Sequence, residues 1–426
     1  MMGGFPLLMG AMQPNLRNTV GIDIGTTKVV TLIAEERGGT LELCGVGHVP
    51  SQGMKKGMVV DIEKASQALR QSVLRAEEMA GIRVERAWAS VGGSHIRVQS
   101  LKVARSIGGR EVLKEDISQV VGDASGILLG EGREVLHVLP RGFRIDGQGG
   151  IMNPIGMIGV QLELDATVVT AQMGPLQNIR KLLENSGVKP IGLMLQPLAS
   201  AEAVLRQEEK DLGVILVDIG GGTSDVMVYA DGAPRYVGVV GLGGAHITRD
   251  IAAAFKIGLQ AAERLKREYG CTSERFLKGG QNHEEIELVL AYDEDRHPVS
   301  IEKLCLVIEA RVREILELVQ KEIDKGGIDR GLCSGLVLCG GSSLLRGLKE
   351  AASELFCLPV RIGIPAYPLK GPFELVAKPG FATGVGLLAY ARLKGDKTPE
   401  AKPPLGLLVR IKQLLKEARK LWGRTG

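Results

Sequence analysis

The chain has 426 residues, 44% of them apolar and 24% charged, with a net charge of +4. That length predicts two or more domains, and the balance is that of an ordinary globular protein. So small a net charge does not mark a nucleic-acid binder, and 4% aromatic content excludes a base-stacking platform. The six cysteines (Cys44, Cys271, Cys305, Cys333, Cys339, Cys357) form no CxxC pair and have no histidine at zinc spacing. They read as small core residues in a reducing compartment. No apolar run reaches the length of a transmembrane helix.

In chain order, Met1–Asn18 is apolar but lacks a cationic start and is broken by Gly3, Gly4, Pro6 and Pro14. A loose tail is expected there, not a signal peptide. Strands follow at Thr19–Ile24, Val29–Glu35 and Leu41–Val46. Asp61–Ala80 is a helix, with Ala65, Leu69, Ser72, Val73 and Ala76 on one face and Gly81 as its stop. Arg86–Val91 is a strand closed by Gly92-Gly93-Ser94. Between Val98 and Val168, polar and charged segments alternate with short strands and frequent glycines. No catalytic constellation occurs there, and the solitary His137 reads as structural. This stretch is expected to be an inserted small domain used for contacts.

Leu176–Asn185 is helical, and a strand from Pro190 runs into a helix over Ala199–Glu209. Gln196 stands at that junction. It either orients a water near a terminal phosphate or is a plain polar helix start. The apolar run Val214–Val217 then leads into Asp218-Ile219-Gly220-Gly221-Gly222-Thr223-Ser224-Asp225, and a second strand begins at Val226. Only glycine lets a backbone turn so tightly and approach a ligand within hydrogen-bond reach. Strand, glycine turn and strand present a cluster of N–H groups that suits a phosphate. The aspartate suits Mg²⁺ held through water.

Beyond it, Val239–Asp250 is a glycine loop containing Gly243 and Gly244, opening a helix over Thr248–Phe255. A helix over Leu259–Tyr269 carries Glu263 and Lys266. Asn282–Asp295 is acidic and reads as a surface strand pair. Ser300–Lys325 is a long helix with its apolar stripe at Ile301, Leu304, Ile308, Val312, Ile315 and Val319. Arg311 lies on the side away from that stripe. Ser334–Leu348 reads as a buried strand, a turn at Gly340-Gly341-Ser342 and a helix start. A small-residue helix begins near Phe381 and ends near Leu393. Lys394–Pro404 is a charged, proline-containing linker. Leu405–Gly423 is a final helix whose Leu407, Leu408, Ile411, Leu414, Leu415, Ala418, Leu421 and Trp422 share one arc. Arg410, Lys412, Lys416, Arg419 and Lys420 fall outside that arc. A basic amphipathic helix with a terminal tryptophan, behind a linker, belongs in the headgroup region of an anionic membrane.

The glycine motif occurs twice. Val20-Gly21-Ile22-Asp23-Ile24-Gly25-Thr26-Thr27-Lys28 repeats the scheme of Val217–Ser224: apolar run, Asp-Ile-Gly, small and hydroxyl residues, apolar run. A repeat constrains architecture. This one implies two similar α/β domains that face one nucleotide, each supplying a phosphate hairpin.

Hairpin, strand-to-helix junction, second hairpin, glycine loop, Gly-Gly turn and small-residue helix follow one another as in the actin, Hsp70 and sugar-kinase superfamily, which the chain resembles over Thr19–Leu393. Within it the chain is similar to the FtsA family of bacterial cell-division proteins. The resemblance implies an actin-like ATPase fold of two ribonuclease-H-like halves, with an inserted subdomain 1C and a C-terminal amphipathic helix. Its division of the chain is a tail at 1–18, subdomain 1A at 19–97, 169–212 and 365–393, and 1C at 98–168. Subdomain 2A then covers 213–244 and 328–364, 2B covers 245–327, and the linker and helix cover 394–404 and 405–423. Gly25, Thr26, Thr27, Lys28, Gly220, Gly221, Gly222 and Thr223 would hold phosphates of ATP, with Asp23 and Asp218 facing the Mg²⁺ shell through water. Gly243, Gly244, Glu263, Lys266, Gly340, Gly341 and Ser342 would surround ribose and adenine. ATPase activity is expected to be weak at most, and the role structural. The implied partners are the acidic C-terminal tail of FtsZ at Arg311, further copies of the chain, other divisome proteins through 1C and an anionic membrane. No nucleic acid is among them. The implied place is the cytoplasmic face of the membrane at the septum.

Two other readings use the same hairpins. A sugar or metabolite kinase would need a catalytic base beside an acceptor pocket, and none is identifiable. A pilus-assembly scaffold would have no use for a lipid-seeking tail.

Overall fold

The computed structural model describes residues 18–127, 132–276, 285–289, 296–328 and 330–394. Of the expected N-terminal tail and linker only Asn18 and Lys394 are described, and they belong to the first strand and the last helix; the amphipathic helix lies outside the described residues.

Two sheets carry the structure, and they are built alike. In the first half, β1 (Asn18–Ile24), β2 (Lys28–Arg37) and β3 (Thr40–Pro50) form an antiparallel meander. The short strands β4 (Met54–Lys55) and β5 (Met58–Val59) make a hairpin before helix α1 (Ile62–Ala80). Strand β6 (Arg86–Val91) then pairs parallel with β1 on its other side. After an insertion come α3 (Met173–Asn185), β11 (Lys189–Leu195) parallel to β6, α4 (Gln196–Val204) and α5 (Gln207–Leu212).

The second half repeats the plan with β12 (Val214–Ile219), β13 (Ser224–Ala230) and β14 (Ala233–Val240) as the meander. Helices α6 (Gly244–Phe255) and α7 (Leu259–Glu268), the pair β15 (Glu285–Val289) and β16 (Arg296–Ser300), and the long α8 (Ile301–Lys325) follow. Strand β17 (Gly335–Cys339) is parallel to β12, and after α9 (Leu348–Phe356), β18 (Val360–Ile362) is parallel to β17. A short β19 (Leu369–Lys370) adds to the edge of the first sheet, and α10 (Ala382–Lys394) closes the described chain. The shared strand order is β3-β2-β1-β6-β11 in one half and β14-β13-β12-β17-β18 in the other. None of the described helices is long and apolar enough to cross a membrane.

The insertion is a four-stranded sheet, ordered β7 (Ile96–Glu111), β10 (Ile158–Gln172), β8 (Arg133–Ile145) and β9 (Gln148–Ile151), with α2 (Lys114–Gly126) on one face. Its three main strands span 16, 13 and 15 residues, not the short strands expected. Alternation explains the difference. Leu162, Leu164, Ala166 and Val168 point under α2 and are fully buried, while Glu163 and Asp165 between them face outward. Charged residues on the outer face look like breaks in a sequence and are not breaks in a strand.

Two other boundaries differ. The helix expected over Ala199–Glu209 is two helices, because Leu205 is extended and the Arg206 N–H is bonded by the Glu209 carboxylate, which starts α5. The strand pair expected within Asn282–Asp295 ends at Ser300, with Glu285 opposite Ser300.

Bare backbone contacts set the layer spacing. Helix α1 lies directly on β3: a Cβ on Gly47 would fall 1.8 Å from the Ser72 carbonyl oxygen, and one on Gly45 would fall 2.4 Å from that of Ala76. Ser72 Oγ bonds the Gly47 carbonyl at 3.0 Å and pairs with Thr31 Oγ1 at 2.9 Å. Helices α4 and α10 cross in the same way, with the Gly386 Cβ position 1.8 Å from the Ala199 oxygen. Gly47→Ala should destabilise the chain by about 1–3 kcal/mol through overpacking, read as a lowered melting temperature. Gly122→Ala in the middle of α2, where an added Cβ meets nothing within 4 Å, should be neutral or stabilising.

Candidate functional site

The two meander turns face each other across the gap between the halves. Each is closed by the same bond: Gly25 N–H to Lys28 O at 3.0 Å, and Gly220 N–H to Thr223 O at 3.0 Å. Their tips touch. A Cβ on Gly221 would lie 2.1 Å from Thr27 Cγ2, and one on Gly222 would lie 2.6 Å from Thr26 Oγ1. Gly340, at φ +81°, brings the end of β17 to the same place, where a Cβ would meet Asp218 Oδ1 at 2.4 Å. The resulting cavity is lined by Asp23, Gly25, Thr26, Thr27, Lys28, Gln196, Asp218, Gly220, Gly221, Gly222, Thr223, Asp225, Gly340 and Gly341, among others.

The acids sit behind the turns, at the ends of β1 and β12. Asp23 accepts from Ser90 Oγ at 2.8 Å, and Asp218 accepts from Ser200 Oγ at 2.5 Å. Burial raises both carboxyls above the ordinary aspartate range, Lys28 opposes this, and Asp218 raises Asp23 further. Lys28 lines the cavity and lies over the Phe381 ring at 5.1 Å. Among the described residues no group of three or more His, Cys, Asp or Glu is arranged to ligate a metal directly. Paired acids of this kind suit a hydrated cation, which would relieve their mutual repulsion. Gln196 fits both of its readings: it starts α4, and its amide lies 3.4 Å from Asp23 Oδ1 and 3.3 Å from the Ile24 carbonyl.

Gly243, Gly244, Glu263, Lys266 and Ser342 form an adjoining cluster instead of lining that cavity. Lys266 Nζ donates to Glu263 Oε2 at 2.6 Å, to Thr248 Oγ1 at 2.8 Å and to the Gly244 carbonyl at 3.0 Å. Ser342 Oγ reaches the Gly220 carbonyl at 3.1 Å and leaves no room for a side chain on Gly244. Arg311 is elsewhere, and it is not the open, solvated charge that its helix face suggested. It is only 25% exposed, is bidentate to Asp250 on α6 at 2.5 and 3.0 Å, and also pairs with Glu314. Leu407, Leu408, Ile411, Leu414, Leu415, Leu421 and Trp422 lie outside the described residues.

Gly57, Asp225, Pro379, Gly380 and Thr383 also line the cavity and are not singled out by the sequence; of these only Asp225 is ionisable. Register places it directly opposite Asp218. It is 3% exposed; Oδ2 accepts from Thr223 Oγ1 at 3.2 Å, and Oδ1 has no partner. Burial, reinforced by Asp218 and Asp23, pushes its pKa up to about 8. In an unfolded chain the same carboxyl ionises near pH ~4. Between these two pH values the unfolded state loses the proton and the folded state keeps it, so this group costs more stability as pH rises. Asp225→Asn should therefore melt above the parent in ligand-free protein, by a margin that widens from pH 5 to pH 8. Parallel melting curves would contradict this.

The sequence matches the family profile "Cell division protein FtsA" over residues 215–386 and "SHS2 domain inserted in FTSA" over residues 93–170. The cell-division protein FtsA of Pseudomonas aeruginosa is 40% identical over 376 residues, covering 88% of this chain and 89% of that protein. The FtsA proteins of Escherichia coli strain K12 and Bacillus subtilis are 35% and 33% identical over 94% and 89% of this chain, and 97% and 85% of their own lengths. Among solved structures, the PilM–PilN type IV pilus biogenesis complex aligns with TM-score 0.64 at 18% identity, covering 89% of this chain and 99% of that one. MreB5 of Spiroplasma citri bound to ADP aligns with TM-score 0.53 at 15% identity, covering 88% and 97%. These structures share the actin-like fold. Identity of 33–40% along most of the chain, together with both profiles, places this protein in the FtsA family of cell-division proteins.

Proposed function

We propose that the cleft binds ATP with Mg²⁺, and that the chain ties a filament of the division machinery to the cytoplasmic membrane at the septum. The twin hairpins carry the first part of this reading. Two turns with bare N–H groups, a lysine and two buried acids behind them, fit a phosphate chain and a hydrated cation. Gly25, Thr26, Thr27, Lys28, Gly220, Gly221, Gly222 and Thr223 would hold the phosphates. Asp23 and Asp218 would hold the cation, which would offset phosphate charge. Glu263, Lys266 and Ser342, with the backbone of Gly243, Gly244 and Gly341, would hold the nucleoside. Gln196, whose amide lies 3.4 Å from Asp23 Oδ1, would orient a water. The solved relatives MreB5 bound to ADP and to AMPPNP have the same fold and support this reading. Gly221→Val should abolish ATP binding in an equilibrium titration, because its side chain would collide with Thr27. ATP affinity equal to the parent's would refute the assignment.

The second part rests on family membership and on the tail sequence. Arg311 would take a carboxylate of the FtsZ tail in competition with Asp250 and Glu314. The insertion would face other divisome proteins, and copies of the chain would self-associate. Leu405–Gly423 would lie in the headgroup region, where each cation adds on the order of 1 kcal/mol of attraction to an anionic surface. A co-sedimentation assay with anionic vesicles and a labelled FtsZ-tail peptide separates these roles. The parent should carry the peptide down with the vesicles. Leu414→Glu with Leu421→Glu should leave both protein and peptide in solution. Arg311→Glu should sediment without the peptide. Sedimentation of the double variant would place the tether elsewhere.

A further inference from the structure

The β4–β5 hairpin stands beside the cleft, and its turn residues are Lys56 and Gly57. Both have left-handed backbone, at φ +49° and +76°. A two-residue hairpin turn demands this, and asparagine or glycine is the usual first residue. A lysine there accepts a backbone cost. The turn is pinned in place: the Gly57 N–H donates to Thr26 Oγ1 at 3.1 Å, and a Cβ on Gly57 would meet the Gly92 carbonyl at 2.6 Å. Gly57 itself lines the phosphate cavity.

The Lys56 side chain crosses to the opposite half. Its Nζ and Cδ lie 3.7 and 3.9 Å from where a Gly241 Cβ would be. Gly241 opens the glycine loop that ends at Gly244, and α6 begins there. Its charge also reaches His246 on α6, which burial first, then Arg249 and Lys56, hold below the ordinary histidine range. Among the described residues no carboxylate or carbonyl oxygen pairs with the Lys56 ammonium. An ammonium on a pinned, strained turn whose next residue, Gly57, lines the phosphate cavity, with no counter-ion among the described residues, is a ligand group for an anion entering from outside. The inner phosphate contacts are already supplied by the two hairpins and Lys28. What remains for Lys56 is the outermost phosphate.

We propose that Lys56 is the residue that distinguishes a nucleoside triphosphate from a diphosphate, by moving its ammonium from the Gly241 backbone onto the terminal phosphate. This rests on the nucleotide-binding reading above. It makes the hairpin a specificity element: Lys56 belongs to the first half, and the phosphate it would grip is shared with the hairpin of the second.

The test is the ratio of affinities for AMPPNP and ADP, measured with Mg²⁺ by titration on the full chain. Lys56→Asn removes the cation and puts a favoured residue into the left-handed turn, so misfolding does not confound it. The parent should prefer AMPPNP. Lys56→Asn should weaken AMPPNP about ten- to a hundredfold, the worth of a hydrogen bond between charged groups, and should leave ADP within about twofold. Lys56→Arg should restore most of the preference. An equal loss for both nucleotides would make Lys56 a mere latch between the halves and overturn the proposal. So would an unchanged ratio, or a parent without preference. A parent that binds neither nucleotide would sink the nucleotide-binding reading together with this one.

Discussion

Close approach at glycines, where a second side chain has no room, is the constraint on which the rest of this structure depends. At the tips of the two hairpins Gly221 and Gly222 meet Thr27 and Thr26, and behind them Gly340 passes Asp218. One layer back, Gly386 of α10 meets the Ala199 carbonyl of α4. A side chain on Gly221 or Gly222 would push the two hairpins apart, one on Gly340 would displace Asp218, and one on Gly386 would part α10 from α4. The acids depend on this spacing, because Ser200 on α4 bonds Asp218 and also pairs with Thr383 on α10 at 3.0 Å. The crossing of α4 and α10 therefore sets where a carboxylate of the other half points in the cleft.

Duplication supplies the frame and then departs from symmetry where chemistry needs it. Asp23 and Asp218 are equivalent, and their parallel neighbours Ser90 and Cys339 occupy equivalent places on β6 and β17. The turn-closing residues are not equivalent in charge: the first hairpin ends in Lys28, the second in Thr223. Opposite the acids, β2 offers apolar Val30, whereas β13 offers Asp225. One half thus brings the cation and the other an extra acid, so the cleft has a direction. A ligand with two unlike ends is held one way round in such a site; a perfectly symmetric site would not choose.

Much of this was legible in the sequence, for physical reasons. The repeated Asp-Ile-Gly stretches announce two hairpins because glycine, apolar and hydroxyl residues each have a local job there. The apolar runs give the central strands, and the positions of β1, β12 and β17 follow from them. Asp225 has a signal of its own: a hairpin closed between Gly220 and Thr223 sets Ile219 opposite Ser224, and the next pair out is Asp218 and Asp225. The β4–β5 hairpin carries Lys-Gly instead of Asn-Gly and gives no local sign of a turn. The environment of Arg311 could not be read at all, since its main partner Asp250 is 61 residues away and reaches it only through the packing of α6 on α8. Long-range contacts of this kind belong to the fold and not to any window of sequence.

The inserted domain illustrates how such contacts join parts that look independent along the chain. Its outer sheet face rests on β14: Thr167 Oγ1 lies 3.5 Å from the Arg235 carbonyl, and Leu139 and Val169 share a core with Met227 and Val237. On the first half its footing includes the Glu134–Arg180 ion pair and His137, whose Nε2 accepts the Leu195 N–H at 3.0 Å. Burial pushes that imidazole down to about 3, so it stays neutral and keeps this acceptor at physiological pH. Both footings lead directly into the cleft. Leu195 is followed by Gln196, which faces Asp23, and β14 is followed by Gly241, which faces Lys56. One footing belongs to each half. Any motion that parts the hairpins must then slide the insertion over one of its two supports, because the insertion cannot follow both halves at once.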